Sequence, residues 1–402
     1  MKNLFAISFL LFCLSTTAQS VSIHGVVKDI VTKEAVIAAS VGVQNSGLGT
    51  ITNEEGNFQM NAPKSGSIVI SCLGYKPMII PVPEFNEEIK TIFLEQSEEV
   101  LEEVIVTKVP LHQVLKEVVE TSVARFNKPI LLHTYYREFV RENNKYTKFS
   151  DGLIDYHVSG TTKKTKSALI ILQNRSFFLG KSEEEEDESM GSFLNVQRGI
   201  ISGYSFTYLT EYVFSEGAYE EYEFNLKSKK DKAGNEYYSI SFVPKPEVEK
   251  ALYQGTITYD PRTKLIYEVD VFMAPTHKSY TKTRNFLIAK VAFLDSKYKS
   301  AYKVVNNNYL MSYNNRYLKI HIWNKKNDYL SESRSDLIVT DFEKDDQSYN
   351  KKEVFTKKDL YDKPTSFKEK FWQTNNAIVL TSEEEKIIAS LEKETIEVPK
   401  NK

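Results

Sequence analysis

Residues 49–58, with the sequence GTITNEEGNF, constrain the fold of this chain more than any other stretch. Asn53 tolerates left-handed backbone geometry, and Gly56 accepts a positive φ without a Cβ clash, so the centre of this decamer predicts a turn. Residues 50–52 predict the end of one strand, and Phe58 begins the next. The decamer therefore predicts two short strands joined by a tight turn, and it is a folding signature rather than a catalytic one.

Short strands continue on both sides of the decamer, between residues 21 and 96. Turn residues separate about seven strand-like segments at the spacing of a small β-sandwich. The segments are 23–27, 41–43, 50–52, 57–60, 68–72, 78–82 and 89–94.

This part of the chain resembles the carboxypeptidase regulatory-like β-sandwich domain. Beside the decamer, the resemblance is carried by GVVKD at residues 25–29, AASV at 38–41 and CLGY at 72–75. The family usually has Asp where Asn53 stands, and Asn keeps the same turn chemistry. The resemblance implies a seven-stranded sandwich over residues 21–96, and it implies no peptidase activity because the domain carries no peptidase residues.

The N-terminus predicts export. Lys2, an apolar run at residues 4–14 and small residues at 16–20 are typical of a signal peptide, which we assign to residues 1–20. The apolar run is shorter than the ~20 residues of a membrane-spanning helix, and the rest of the chain has no run of that length. Cleavage would leave one cysteine, Cys72, which excludes an intramolecular disulfide. We expect an exported protein of the periplasm or outer membrane.

Residues 97–129 predict a linker strand followed by an amphipathic helix. LEEVIVT at residues 101–107 is similar to the segment that follows the same domain in TonB-dependent receptors of the Bacteroidetes, although no plug or barrel follows here. Pro110 suits a helix start. Apolar side chains then recur at i, i+3, i+4 and i+7 and predict a helix face that covers the following sheet. They include Leu111, Val114, Leu115 and Val118.

Residues 130–360 predict a larger antiparallel domain. Alternating strands and polar turns form a long meander, and 24 Tyr and 23 Phe suit its pleated faces. The order of the helix, YYRE at 135–138 and GTITYD at 255–260 resembles Bacteroidetes envelope proteins that follow this N-terminal domain. The hairpin at 255–271 is similar in pattern to the half-barrels of periplasmic lipoprotein carriers.

The predicted fold class is therefore mainly β. A seven-stranded sandwich is followed by a larger antiparallel, half-barrel-like domain with one packed helix. Residues 361–402 predict a helical tail, in which Thr381 and the glutamates after it form an N-terminal cap.

Tyr135 and Arg137 are the side chains that most suggest a binding role. Strand alternation places both on one face and Tyr136 with Glu138 on the other. Arg137 either meets an anionic head group through bidentate hydrogen bonds or pairs with a cross-strand carboxylate such as Glu268 or Asp270. The sequence favours the carboxylate pair.

The sequence predicts no catalytic, cofactor-binding or metal-binding residue. Its six histidines form no zinc-binding spacing, and no Gly-x-Ser-x-Gly elbow is present. A net charge of −2 with interspersed signs gives no footprint for nucleic acid. The acidic run at 182–188 favours a solvated loop over a calcium site.

We therefore expect a non-enzymatic cell-envelope protein. Its curved sheet would bind an apolar or amphipathic ligand, or an envelope partner, so the expected partner is a lipid or an outer-membrane protein. The candidate surface comprises Leu111, Val114, Leu115, Val118, Tyr135 and Arg137. Two alternatives stay open: a structural or adhesion module whose sheet faces are filled by its own aromatic side chains, and a hydrolase with an unrecognised site.

Overall fold

The computed structural model describes residues 20–85, 89–97, 100–179, 195–215, 217–230, 236–286, 289–366 and 378–397. The signal-peptide residues 1–19 and the acidic run at 182–188 lie outside the described residues, so those two assignments stay predictions.

The N-terminal sandwich has the seven predicted strands. They form a sheet in the order β4-β1-β7 and a second sheet in the order β3-β2-β5-β6. A core that includes Ile23, Phe58 and Ile68 lies between the two sheets. The strands are β1 (Ser20–Asp29), β2 (Ser40–Val43), β3 (Gly49–Ile51), β4 (Asn57–Pro63), β5 (Ser67–Ser71), β6 (Met78–Pro81) and β7 (Lys90–Leu94).

The turn between β3 and β4 uses Gly56 as predicted but uses Asn53 differently. Gly56 has a φ of +78°, and a Cβ there would lie 2.5 Å from the carbonyl oxygen of Val27. Asn53 does not adopt the left-handed conformation. Its Oδ1 instead accepts hydrogen bonds from the backbone N–H groups of Glu55 and Asn57, both at 2.9 Å. The side chain, rather than the backbone, of Asn53 therefore shapes the turn.

The larger sheet is antiparallel, in the order β11-β10-β9-β19-β18-β17-β15-β14-β13-β12-β8, and a short strand, β16, pairs with β17. The predicted linker strand is its edge strand β8, which pairs with β12. The strands are β8 (Val100–Val104), β9 (Ile130–Glu142), β10 (Lys145–Gly160), β11 (Thr165–Phe178), β12 (Tyr222–Lys230), β13 (Glu236–Pro244), β14 (Tyr253–Tyr259), β15 (Ile266–Met273), β16 (Arg284–Asn285), β17 (Lys290–Val305), β18 (Asn308–Trp323) and β19 (Asp328–Lys344).

Within the described ranges, four helices cover the larger sheet, rather than the one packed helix and a helical tail that the sequence predicts. We call the face under α1, α2 and α3 the helix face, and the face that carries the sandwich and α4 the sandwich face. The helices are α1 (Leu111–Arg125), α2 (Val196–Ser205), α3 (Thr207–Tyr212) and α4 (Ser382–Glu397).

The core of the helix face joins strands from both ends of the sheet to the three helices. Leu169 of β11 and Leu226 of β12 belong to one contiguous apolar cluster, although eight strands lie between β11 and β12. This shared core agrees with the predicted half-barrel-like form of the domain. Helix α2 lies directly on β18, since a Cβ at Gly203 would overlap the sulfur of Met311.

Candidate functional site

The structure places the six candidate residues on opposite faces of the larger sheet. In α1, Leu115 and Val118 are fully buried in the core of the helix face, and Leu111 and Val114 pack half-buried against it. Tyr135 lies in a separate cluster on the sandwich face. The sheet therefore separates the α1 residues from Tyr135 and Arg137, and these six side chains do not form one site.

Arg137 pairs with two buried carboxylates. Its Nε donates to Oδ2 of Asp336 at 2.8 Å, and its Nη1 donates to Oε2 of Glu384 at 2.8 Å. Asp336 is the residue directly opposite on β19, so the favoured cross-strand pair is present, with Asp336 rather than Glu268 or Asp270 as the partner. Burial opposes ionisation of Asp336, but the guanidinium groups of Arg137 and Arg334 hold the pKa of its carboxyl below the ordinary value.

Tyr135 belongs to a second buried network on the sandwich face. Its hydroxyl donates to Oδ2 of Asp151 at 3.0 Å, and Asp151 also accepts from Nε and Nη2 of Arg175 at 2.8–3.0 Å. Burial raises the pKa of the Asp151 carboxyl, and Arg175 opposes that rise.

The first network continues into the sandwich. Glu384 and Thr381 form the predicted capping box of α4, in which each side chain accepts a hydrogen bond from the other residue's backbone N–H at 2.9 and 3.1 Å. Glu384 also pairs with Arg334, which pairs with Glu54 of the decamer turn at 3.1 Å.

Two more hydrogen bonds fasten the decamer turn to the start of α4. Nδ2 of Asn53 donates to the carbonyl of Val379 at 3.2 Å, and Oε1 of Glu55 accepts from the backbone N–H of Ser382 at 3.1 Å. We call these contacts, with those of Glu54 and Glu384, the junction. The decamer at residues 49–58 therefore also docks the sandwich onto the rest of the molecule.

The helix face has a strongly aromatic part. We define the aromatic cluster as Phe126, Tyr204, Phe206, Tyr302 and Tyr309, all at most 6% exposed. The ring of Phe126 lies 4.3 Å from that of Tyr204 and 4.7 Å from that of Tyr309, measured between centroids. The hydroxyls of Tyr302 and Tyr309 donate to the backbone carbonyls of Gly203 and Ile266 at 2.9 and 2.7 Å.

A line of buried polar side chains runs beside this aromatic part. The residues lie directly opposite one another on β17, β18, β19, β9 and β10, and directly opposite residues share one face of a sheet. None is more than 3% exposed. This polar row consists of Tyr298, Arg316, Ser335, Glu138 and Ser150.

The polar row is incompletely hydrogen-bonded. Arg316 donates from Nη2 to the carbonyl of Asn195 at 2.9 Å, but its Nε has no partner. The Tyr298 hydroxyl and the Ser150 Oγ are also buried without a partner. Within the described part of the chain, no carboxylate forms an ion pair with Arg316. A buried unpaired guanidinium is energetically costly.

Glu138 is the negative group of the row. It accepts a hydrogen bond of 2.6 Å from the Tyr136 hydroxyl. Burial, and then the charge of Glu138, raise the pKa of Tyr136 well above its ordinary value. Burial likewise raises the pKa of Tyr298 to about 12. Both phenols therefore stay protonated at neutral pH and available as donors.

The sequence carries only a weak signal for this row. Asn314 and Arg316 alternate on β18, and Ser331, Ser333 and Ser335 alternate on β19. Such alternation is typical of a solvent-facing strand surface, so it does not by itself predict a buried polar line. The described residues contain no group of three or more His, Cys, Asp or Glu side chains that could hold a metal ion.

Comparison with solved structures gives distant likenesses. A DUF1329 family protein from Desulfovibrio piger is 10% identical, with 58% of this chain and 92% of that chain covered and a TM-score of 0.25. A LolA superfamily protein from Nitrosomonas europaea is 11% identical, with 60% and 99% covered and a TM-score of 0.23. Likenesses at these TM-scores carry no conclusion about this chain.

Sequence comparison is informative for the N-terminal part. Residues 23–106 match the CarboxypepD_reg-like domain family. The TonB-dependent receptor SusC of Bacteroides thetaiotaomicron is 41% identical over 90 residues, which are 22% of this chain and 8% of the receptor. The chain thus aligns with less than a tenth of that relative's length. Together with the seven observed strands, the two matches identify residues 23–106 as a CarboxypepD_reg-like domain.

Proposed function

We propose that this protein is a non-enzymatic component of the cell envelope that binds an amphipathic molecule at its helix face. The observation that carries this proposal is the amphipathic interior of that face, where the aromatic cluster and the polar row lie side by side under the same helices. An unpaired buried guanidinium does not stabilise a core, because moving a charge out of water costs free energy that only a counter-charge and hydrogen bonds offset.

The two parts of the interior suit the two parts of such a ligand. Apolar surface transferred onto the aromatic cluster contributes about 25 cal/mol per Å². The unpartnered Nε of Arg316 and hydroxyl of Tyr298 offer hydrogen bonds to a polar head. A few polar groups in an otherwise apolar site are typical of small-molecule binding sites.

The position of α1 fits a cover over the bound molecule. Its buried stripe packs on the helix face, and the segment before it is exposed: Val106 is 93% and Val109 50% exposed. None of the helices in the described ranges combines the length and the hydropathy of a membrane-spanning segment. The predicted signal peptide and the similarity to part of a TonB-dependent receptor support placement in the envelope.

A structural or docking module is the second candidate. It is favoured by the chain's own coverage of the sheet, because aromatic side chains fill the helix face while the sandwich and α4 cover the sandwich face. In that case the helix face never opens, and the protein acts through its outer surface.

Native mass spectrometry separates the two candidates. The full chain, expressed with its own N-terminus and purified from a bacterial envelope fraction, is measured directly and again after lipid extraction. We expect an additional mass that extraction removes and that returns on incubation with the extracted lipid. An apo mass that stays unchanged after incubation with envelope lipids would contradict ligand binding and favour the structural module.

A further inference from the structure

Arg316 is a buried cation on the helix face that has no carboxylate counter-charge among the described residues. It is 3% exposed, its one hydrogen bond goes to a neutral backbone carbonyl, and its Nε has no partner. We infer that Arg316 is the anchor for the carboxylate head of a long-chain amphiphile, an inference that rests on the proposed function of the helix face and names its ligand class.

Two neighbours of the Arg316 guanidinium, Gly199 and Ser335, are small residues. Gly199 of α2 faces Nε, and a Cβ built there would lie 3.9 Å from that atom. Ser335 is the directly opposite neighbour on β19, and Tyr298 is the neighbour on β17. Directly opposite residues have Cβ atoms about 5 Å apart. A Cβ built at Gly203, one turn further along α2, would lie 3.6 Å from the Tyr298 hydroxyl, so Nε and this hydroxyl face the same helix one turn apart.

The charge of Arg316 in the polar row favours a ligand head that carries one negative charge. One unpaired guanidinium balances one negative charge, and a planar carboxylate matches its fork of donors. A phosphate dianion would bring a second negative charge that this one guanidinium does not balance.

Apolar and aromatic side chains lie next to this head. The ring of Tyr208 on α3 stacks on that of Tyr298 with centroids 4.2 Å apart. Val271, opposite Tyr298 on β15, belongs to the same apolar core as the aromatic cluster. A tail that starts at Arg316 would therefore have apolar side chains as its neighbours.

Isothermal titration of the full chain with dodecanoate, dodecanol and dodecyl phosphate tests the inference. We expect dodecanoate to bind about 10- to 100-fold more tightly than dodecanol, the range of a charge-assisted hydrogen bond. Arg316→Met should remove this preference, and Arg316→Lys should retain part of it. Arg262→Met is the matched control, since the Arg262 side chain is 79% exposed, and it should leave the preference unchanged.

The outcomes distinguish the carboxylate anchor at Arg316 from ligand binding at the helix face in general. Equal binding of dodecanoate and dodecanol, or an unchanged preference in Arg316→Met, would overturn the carboxylate anchor and leave ligand binding standing. Tighter binding of dodecyl phosphate than of dodecanoate would also overturn it. Binding of none of the three compounds would count against the proposed function itself.

A thermal melt without ligand tests whether the role of Arg316 is purely structural. As an anchor that is unpaired in the apo protein, Arg316 should give a Met variant with an equal or higher melting temperature. A lower melting temperature would show that its bond to the carbonyl of Asn195 holds α2 in place, and would contradict the anchor. If the Met variant does not fold, that result too would contradict it.

Discussion

Arg137 and Arg316 show how the surroundings of a buried arginine decide its role. Both are 3% exposed and lie on strands of the same sheet, but on opposite faces. Arg137 has carboxylate partners at 2.8 Å on two sides, whereas Arg316 has one backbone carbonyl. The first is a completed structural pair, and the second keeps unused donor capacity.

The two arginines should therefore respond differently to the same substitution. Arg137→Met leaves Asp336 and Glu384 buried without their cation and should lower the free energy of unfolding by about 3–5 kcal/mol. Arg316→Met, the matched variant, removes an uncompensated charge and should not lower it. Urea unfolding of both variants at neutral pH measures the difference. Equal losses would show that Arg316 is as fully compensated as Arg137.

Asp359 gives a pH-dependent prediction. Burial, with the nearby charge of Asp362, raises the pKa of Asp359 to about 6 from an ordinary 3.8, and its Oδ1 has no partner. Because the folded-state pKa is raised, the wild-type chain loses stability as the pH rises from about 4 to 6, and the loss persists above that range.

Asp359→Asn removes that loss. At pH 8 the variant should be more stable than the wild type by about 1–2 kcal/mol, after allowance for solvent screening. Near pH 4 the difference should approach zero. Chemical unfolding of both proteins at pH 4, 6 and 8 measures this trend. A difference that is constant with pH would mean that folding does not raise the pKa of Asp359.

At the scale of elements, sequence periodicity predicted helices and strands whose buried face is apolar. The seven sandwich strands and α1 follow from alternation and from the stripe that contains Leu115 and Val118. Strand β19 lies within the meander predicted over residues 130–360, but its helix-face positions include Ser331, Ser333 and Ser335, which are not typical of a buried face.

Helices α2 and α3 escaped prediction. They have 10 and 6 residues, and α2 contains Gly199 and Gly203, each unfavourable in a helix by about 1 kcal/mol relative to Ala. Packing on the sheet stabilises α2, because its glycines allow close approach to β18. The site depends on these same elements, so a local pattern could not locate the polar row.

At the scale of the whole molecule, Ile51 packs between the sandwich and the larger sheet. Ile51 is 6% exposed, yet it belongs to a cluster with Tyr135 and Ile338 rather than to the sandwich core. Its burial thus comes from docking. The Glu54–Arg334 pair of the junction is 61% and 30% exposed, and such pairs contribute only about 0–1 kcal/mol.

Apolar burial, more than the exposed charges, should therefore hold the two parts together. Ile51→Asp places a charge without a cation partner in this contact and should undock the sandwich while leaving it folded, so that thermal unfolding changes from one transition to two. Glu54→Ala, the matched control, should keep one transition. A single transition in Ile51→Asp, with the larger domain still protected from limited proteolysis, would show that the junction hydrogen bonds suffice for docking.

Undocking also tests whether the two faces of the larger sheet act independently. Ile51 contacts the sandwich face, whereas the polar row and the aromatic cluster lie on the helix face. If the helix face alone binds the ligand, Ile51→Asp should leave dodecanoate affinity within about twofold of wild type, a change of less than 0.5 kcal/mol. A larger loss would mean that the CarboxypepD_reg-like domain sets the strand geometry that the site needs, since β9 and β19 carry residues of both faces.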